Sequence, residues 1–174
     1  ISSVSEENEI KKTKSVSVQR GTIYDVAVDA TDKFMITSGQ DKRLNVWNMA
    51  SAKQMRSYKP EGVTGELYKL DVDPAGLFVA ACSFDKWIRL FDFYSGNCIG
   101  KVAGHSELVT GVRFTLDGRR LLSIGADGCI FVWRLAPELT EAMHERQEER
   151  KARTAEMKKK EILIEKEEQE KKAK

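Results

Sequence analysis

A chain of 174 residues with 41% hydrophobic content can bury one ordinary core, and its 29 basic and 27 acidic side chains nearly cancel. The residues from His144 onward hold 11 of those basic and 9 of those acidic groups, which leaves 18 of each before them and a formally neutral first part, a poor footprint for a nucleic-acid surface. The absence of a signal peptide and of an apolar run near 18 residues leads us to expect a soluble intracellular protein.

Taken in chain order, residues 1–14 read as linker, and "KTKSVSVQ" (12–19) reads as an outer strand of a unit that precedes it. Three segments then align without a gap: "IYDVAVDATDKFMITSGQDKRLNVWN" (23–48), "LYKLDVDPAGLFVAACSFDKWIRLFD" (67–92) and "VTGVRFTLDGRRLLSIGADGCIFVWR" (109–134). In each, an aspartate (Asp41, Asp85, Asp127) precedes an aromatic (Trp47, Phe91, Trp133) by six residues. The texture within a unit is that of short strands, with alternation in "YDVAV", "KLDV" and "GVRF", a turn at "DATDK", "DPAG" or "LDG", a second apolar run, a tight turn at the aspartate and a third run. "KQMRSY" and "NCIGKV" supply a fourth strand to the first two units, and the third has none after Trp133. Four short strands every 40–45 residues is the period of a propeller blade. Three blades cannot close a ring, so the expected fold is an all-β propeller represented by the last three blades of a larger ring, residues 15–136, with a charged extension at 137–174.

Over residues 15–135 the chain resembles the WD-repeat family. Its marks are Gly104-His105, the aspartate-to-aromatic spacing and the strand endings "VWN", "LFD" and "VWR". In that family a histidine, a Ser or Thr, the turn aspartate and the tryptophan form a buried hydrogen-bonded relay. The resemblance assigns that role to His105, Ser123, Asp127 and Trp133 of the third unit. The first unit offers Gln19, Thr37, Asp41 and Trp47, an altered version. The second puts Val63, Ala81 and Phe91 at the three partner positions, so Asp85 should lack all three family partners. Replacing three polar members at once by apolar groups is the near-neutral way to lose such a network.

The stretch "GHSELVTGVRFTLDGRRLLSIGADGCIFVWRL" followed by "ELTEAM" is similar to the mitogen-activated protein kinase-binding WD-repeat scaffolds, a group that includes a spindle-pole member. That resemblance implies a last blade that borrows its outer strand from the start of the ring, and a scaffold role in the cytoplasm, at the spindle pole, centrosome or cilium. Its implied partners are proteins, a stress kinase among them, whereas tubulin and axonemal components would go with a ciliary setting. A ciliary or axonemal structural role and an RNA-processing role are the alternatives, the latter weakened by the neutral blades.

After Trp133 the sequence signals a helix. Pro137 suits a first turn, Glu138 and Glu141 favour the positive helix end, and no Gly or Pro follows. A regular heptad seam is missing. Pairs at i,i+4 such as Glu149–Arg153 and Glu156–Lys160 are expected, and the helix, about 55 Å long if continuous, reads either as a solvated tail or as an arm that docks a partner through Ile162, Leu163 and Ile164. Trp87, which follows the turn at Asp85, is a second candidate partner contact, the alternative being packing on Phe91. Cys82, Cys98 and Cys129 lack CxxC spacing and read as reduced core or strand residues. Neither a phosphate loop, nor a metal spacing, nor a paired-carboxylate arrangement appears, so no catalytic, metal or cofactor site is expected.

Overall fold

The computed structural model describes residues 13–17 and 21–172, the side chains of Leu163 and of residues 165–172 excepted. Eleven strands and one helix follow one another: β1 (Ile23–Val28), β2 (Phe34–Gly39), β3 (Leu44–Asn48), β4 (Lys53–Tyr58), β5 (Leu67–Val72), β6 (Phe78–Ser83), β7 (Ile88–Asp92), β8 (Cys98–Val102), β9 (Val109–Phe114), β10 (Arg120–Gly125), β11 (Ile130–Arg134) and α1 (Pro137–Lys172). They form three antiparallel meanders, β1-β2-β3-β4, β5-β6-β7-β8 and β9-β10-β11, the partial propeller expected from the repeat.

The middle sheet is covered on both faces, and β6 shows why its sequence is apolar throughout. Side chains alternate across a strand, so Val79 and Ala81 enter the core shared with the first sheet, while Phe78, Ala80 and Cys82 enter the core shared with the third. The two flanking sheets have one face covered each, and Val26 on β1, Ile130 and Val132 on β11 stand out in the open. Asp25 on β1 accepts the amide of Leu70 on β5 at 3.0 Å, and Asp71 on β5 accepts that of Phe114 on β9 at 2.8 Å, so the inner strands are stitched sheet to sheet as well as packed.

The turns repeat because the same chemistry recurs at the same offset. Asp29 accepts the amides of Lys33 and Phe34, and Asp73 those of Ala75, Leu77 and Phe78, each closing the first hairpin of its unit. In the third unit Thr115 and Asp117 share that task. The hairpins also need a left-handed residue, supplied by Asp32, Gly76 and Gly118 at φ of 54°, 76° and 65°. At the end of each third strand the units part company. Asn48 Oδ1 accepts the amide of Ser51, and Asp92 Oδ1 those of Tyr94 and Ser95, which bends the chain back into a fourth strand. The third unit has Arg134 there, a donor that cannot cap the turn, and the chain runs on into α1 instead.

Several expectations are corrected. Residues 13–17 form no strand, and among the described residues no strand pairs with them; the remainder of that stretch, Gln19 included, lies outside the described residues. The helix does not leave the propeller at once. Leu139 and Ala142 pack against the second core, Met143 is 1% exposed and sits over Gly118, and Arg150 donates to the carbonyls of Ala30 and Pro74 at 2.8 and 3.5 Å. The spacing 139, 143, 146, 150 puts these positions on one face, so the first half of α1 is strapped across the hairpin ends of all three sheets. The pairs Glu149–Arg153 and Glu156–Lys160 do not form. Glu149 meets Arg146 at 3.3 Å, and Glu148 meets Lys151 at 2.8 Å, both three residues apart rather than four.

Of the three thiols, Cys82 is buried whereas Cys98 and Cys129 are exposed, so only the first is a core residue. Burial pushes the Cys82 thiol up to about 12, and the thiolate is the reactive form. Iodoacetamide at neutral pH should therefore modify Cys98 and Cys129 first and reach Cys82 only with unfolding; mass spectrometry of a time course that shows all three alkylated together would refute that order.

Candidate functional site

His105 lies in the loop ahead of β9, Ser123 in the middle of β10, Asp127 in the turn after β10 and Trp133 near the end of β11. The fold brings the four together. Asp127 accepts from His105 Nδ1 at 3.0 Å, His105 Nε2 stands 2.8 Å from Ser123 Oγ, and Ser123 Oγ accepts the Trp133 indole N–H at 2.9 Å. With Nδ1 carrying its proton, Nε2 accepts the serine hydroxyl, and each side-chain N and O of the four residues has a partner. Burial pushes the Asp127 carboxyl up, but the bonds from His105, the Cys129 amide and the Ser106 amide outweigh it and hold the group below the usual carboxylate range. The ring of Phe131 stacks edge-on to His105 at 4.5 Å and completes the box.

Serine, histidine and aspartate in this order resemble an acyl-transfer triad, and the distances alone do not distinguish the two. What distinguishes them is the oxygen. Ser123 Oγ already accepts the indole N–H and its residue is 1% exposed, so no substrate carbonyl can approach it. His105→Ala removes the partner of a buried hydroxyl, for which about 1–3 kcal/mol is the ordinary cost. Amide exchange should accelerate in β9–β11, whereas Val63→Ala at the aligned place should act only through lost packing; equal effects in the two sheets would count against the relay.

The second unit departs from expectation. Val63 packs on the first core and Ala81 and Phe91 are fully buried, so the three positions are apolar as the sequence says. Asp85 nevertheless keeps a full set of partners. Arg89 donates to both of its oxygens at 2.9 and 2.7 Å, Ser83 bonds it as well, and Thr64 reaches it at 3.4 Å. Burial pushes Asp85 up, yet these donors lower its pKa to about 2. The exchange follows from space. Ser83 occupies the place of Gly125, where an added Cβ would lie 2.4 Å from His105 Nδ1. With valine in place of the histidine that volume is free, and the serine hydroxyl and a guanidinium enter it. In the first unit Asn45, aligned with Arg89, donates to Asp41 at 3.0 Å, and Trp47 still donates to Thr37 at 2.9 Å. The signal was in the sequence: a donor four residues after the turn aspartate wherever the histidine is missing.

The candidate partner contacts are scattered. Trp87 is 36% exposed just ahead of β7, with Lys101 Nζ 5.0 Å from its ring centre, while Phe91 is fully buried in the core between the first two sheets. Ile162 and Ile164 project from the distal half of α1, each about half exposed, and the Leu163 side chain lies outside the described residues. Among the described residues no cluster of His, Cys, Asp and Glu could hold a metal ion, and no helix is long and apolar enough to cross a membrane.

The family model "WD domain, G-beta repeat" matches residues 11–48, 53–92 and 96–134. The chain belongs to the WD-repeat family. The second match begins with β4 and the third just ahead of β8, and all three end with the third strand of a sheet, so the three sheets are WD blades. Among relatives, the chain is 45% identical over 126 residues to WD repeat-containing protein 62 of Mus musculus, a stretch that is 72% of this chain and 8% of that protein. It is 39% identical over 130 residues to mitogen-activated protein kinase-binding protein 1 of Homo sapiens, covering 74% of this chain and 9% of that protein. A more distant relative is cilia- and flagella-associated protein 52 of Chlamydomonas reinhardtii, 28% identical over 99 residues, 57% of this chain and 16% of that protein. The chain thus spans less than a tenth of the length of the first two.

Proposed function

We propose that this WD-repeat chain is part of a non-catalytic scaffold that organises proteins of a signalling or cytoskeletal assembly in the cytoplasm. The observation that carries the reading is the relatedness over 126 and 130 residues to the two large WD proteins, one of which is named for binding a mitogen-activated protein kinase. The relay supports it from the chemical side, because the nucleophile-like arrangement of Ser123, His105 and Asp127 is sealed and saturated. Residues 15–136 then act as blades of a larger ring, in which the open faces of β1 and β11 meet further blades, and the helical extension at 137–174 straps them. Trp87 and the distal helix at Ile162–164 are the proposed partner contacts. A ciliary or axonemal role is the second reading, favoured by the likeness to the cilia- and flagella-associated protein.

Proximity labelling by the full protein in dividing and in ciliated cells separates the two. Enrichment of a stress-activated kinase and spindle-pole proteins supports the first, and enrichment of axonemal proteins and tubulin the second. Recovery of preribosomal RNA and its proteins in place of either would overturn both.

A further inference from the structure

Three arginines meet at the end of the third blade where α1 begins. Arg120 opens β10, Arg134 closes β11, and the register places them directly opposite each other, with Arg119 next in the chain. Like charges facing across an antiparallel pair are destabilising. The aligned pairs in the other blades avoid the conflict: Phe34 faces Asn48 and Phe78 faces Asp92. Both members of the pair have become arginine in this blade alone. All three side chains are exposed and, with Leu135, Thr140 and Glu141, line a cleft of about 490 Å³.

Among the described residues none of the three is in an ion pair, although the Glu141 carboxylate lines the same cleft. Arg89, Arg113 and Arg146 each hold a carboxylate within 4 Å, whereas Arg119, Arg120 and Arg134 hold none. Asp117, which precedes Arg119 by two residues, is engaged by the Thr115 hydroxyl at 2.5 Å and the Arg119 amide at 3.0 Å. We infer that this cleft binds a phosphate monoester on a peptide, a phosphoserine or phosphothreonine of a partner protein. Guanidinium forks match phosphate oxygens in pairs, and a dianion uses three of them where a single carboxylate does not. Residues 1–143, these three arginines included, hold 18 basic and 18 acidic groups, so a repeating polyanion such as RNA meets one favourable position and no basic surface beyond it. The Arg120–Arg134 repulsion is a stability cost retained where an anion relieves it.

The test uses the full protein and a pool of fluorescein-labelled phosphothreonine peptides with degenerate flanks and a photo-crosslinking group. Polarisation should show binding of the phosphorylated pool and not of its unphosphorylated twin, and the adduct should map to residues 117–141. Arg120→Gln and Arg134→Gln should each weaken binding at least tenfold, while Arg134→Lys, which keeps charge and loses the fork, should weaken it only severalfold. As a readout of folding, Arg120→Gln should raise the melting midpoint of this region in phosphate-free buffer. Wild-type binding by both Gln variants, an adduct elsewhere, or displacement of the peptide by far less single-stranded RNA than unlabelled phosphopeptide would overturn the proposal, the last result pointing to nucleic acid.

Discussion

Replacing Arg89 with alanine is expected to destabilise the second blade by about 2–4 kcal/mol, because removing one partner of a largely buried ion pair leaves the other charge uncompensated. The Arg89 and Asp85 side chains are 7% and 14% exposed, and the guanidinium also serves the Ser83 hydroxyl and the Gly62 carbonyl. The double substitution Asp85→Asn, Arg89→Leu should recover most of the loss, since no charge then remains buried. Urea melts of the three variants measure the difference; a double variant as unstable as the single one would show that packing, and not the pair, sets the cost. The pair also fixes an acid limb. A carboxyl near 4 in the unfolded chain and about 2 in the folded one contributes stability that is present above pH 4 and lost as the pH falls toward 2. Asp85→Asn should remove that part of the acid sensitivity and leave the part due to Asp127.

The second large effect is expected at Met143. Cutting back a buried methionine costs about 2–5 kcal/mol in apolar contact alone, and a carboxylate adds the penalty of an unpaired charge. Met143→Asp should therefore release the strap. Amides of the first half of α1 should lose protection, and trypsin should cut at Lys151 and Arg153 in the variant before it does so in the wild type. Met157→Asp, on a side chain 64% exposed, is the control and should change neither. If both substitutions free the helix equally, docking through Met143 is not what holds it.

The blades were legible because each unit repeats its chemistry at fixed offsets. Alternation gave the strands, Asp29, Asp73 and Asp41, Asp85, Asp127 gave the turns, and His105 with its three partners could be placed before any coordinates. What the sequence concealed depended on volume. Arg89 reads as an ordinary strand charge until the space opened by Val63 and Ser83 is seen. The strap was missed for a related reason: Met143 and Arg150 look sparse on a charged helix, and only the hairpin carbonyls of Ala30 and Pro74 and the bare Gly118 make them a docking face.

The strap also decides how load would travel through the molecule. Arg150 binds a carbonyl 120 residues upstream, on the first blade, and another 76 residues upstream, on the second. A pull on the distal end of α1 is thus delivered to the far blade before it reaches the β11–α1 junction. The first and second sheets would share a load that the covalent connection alone would place on the third.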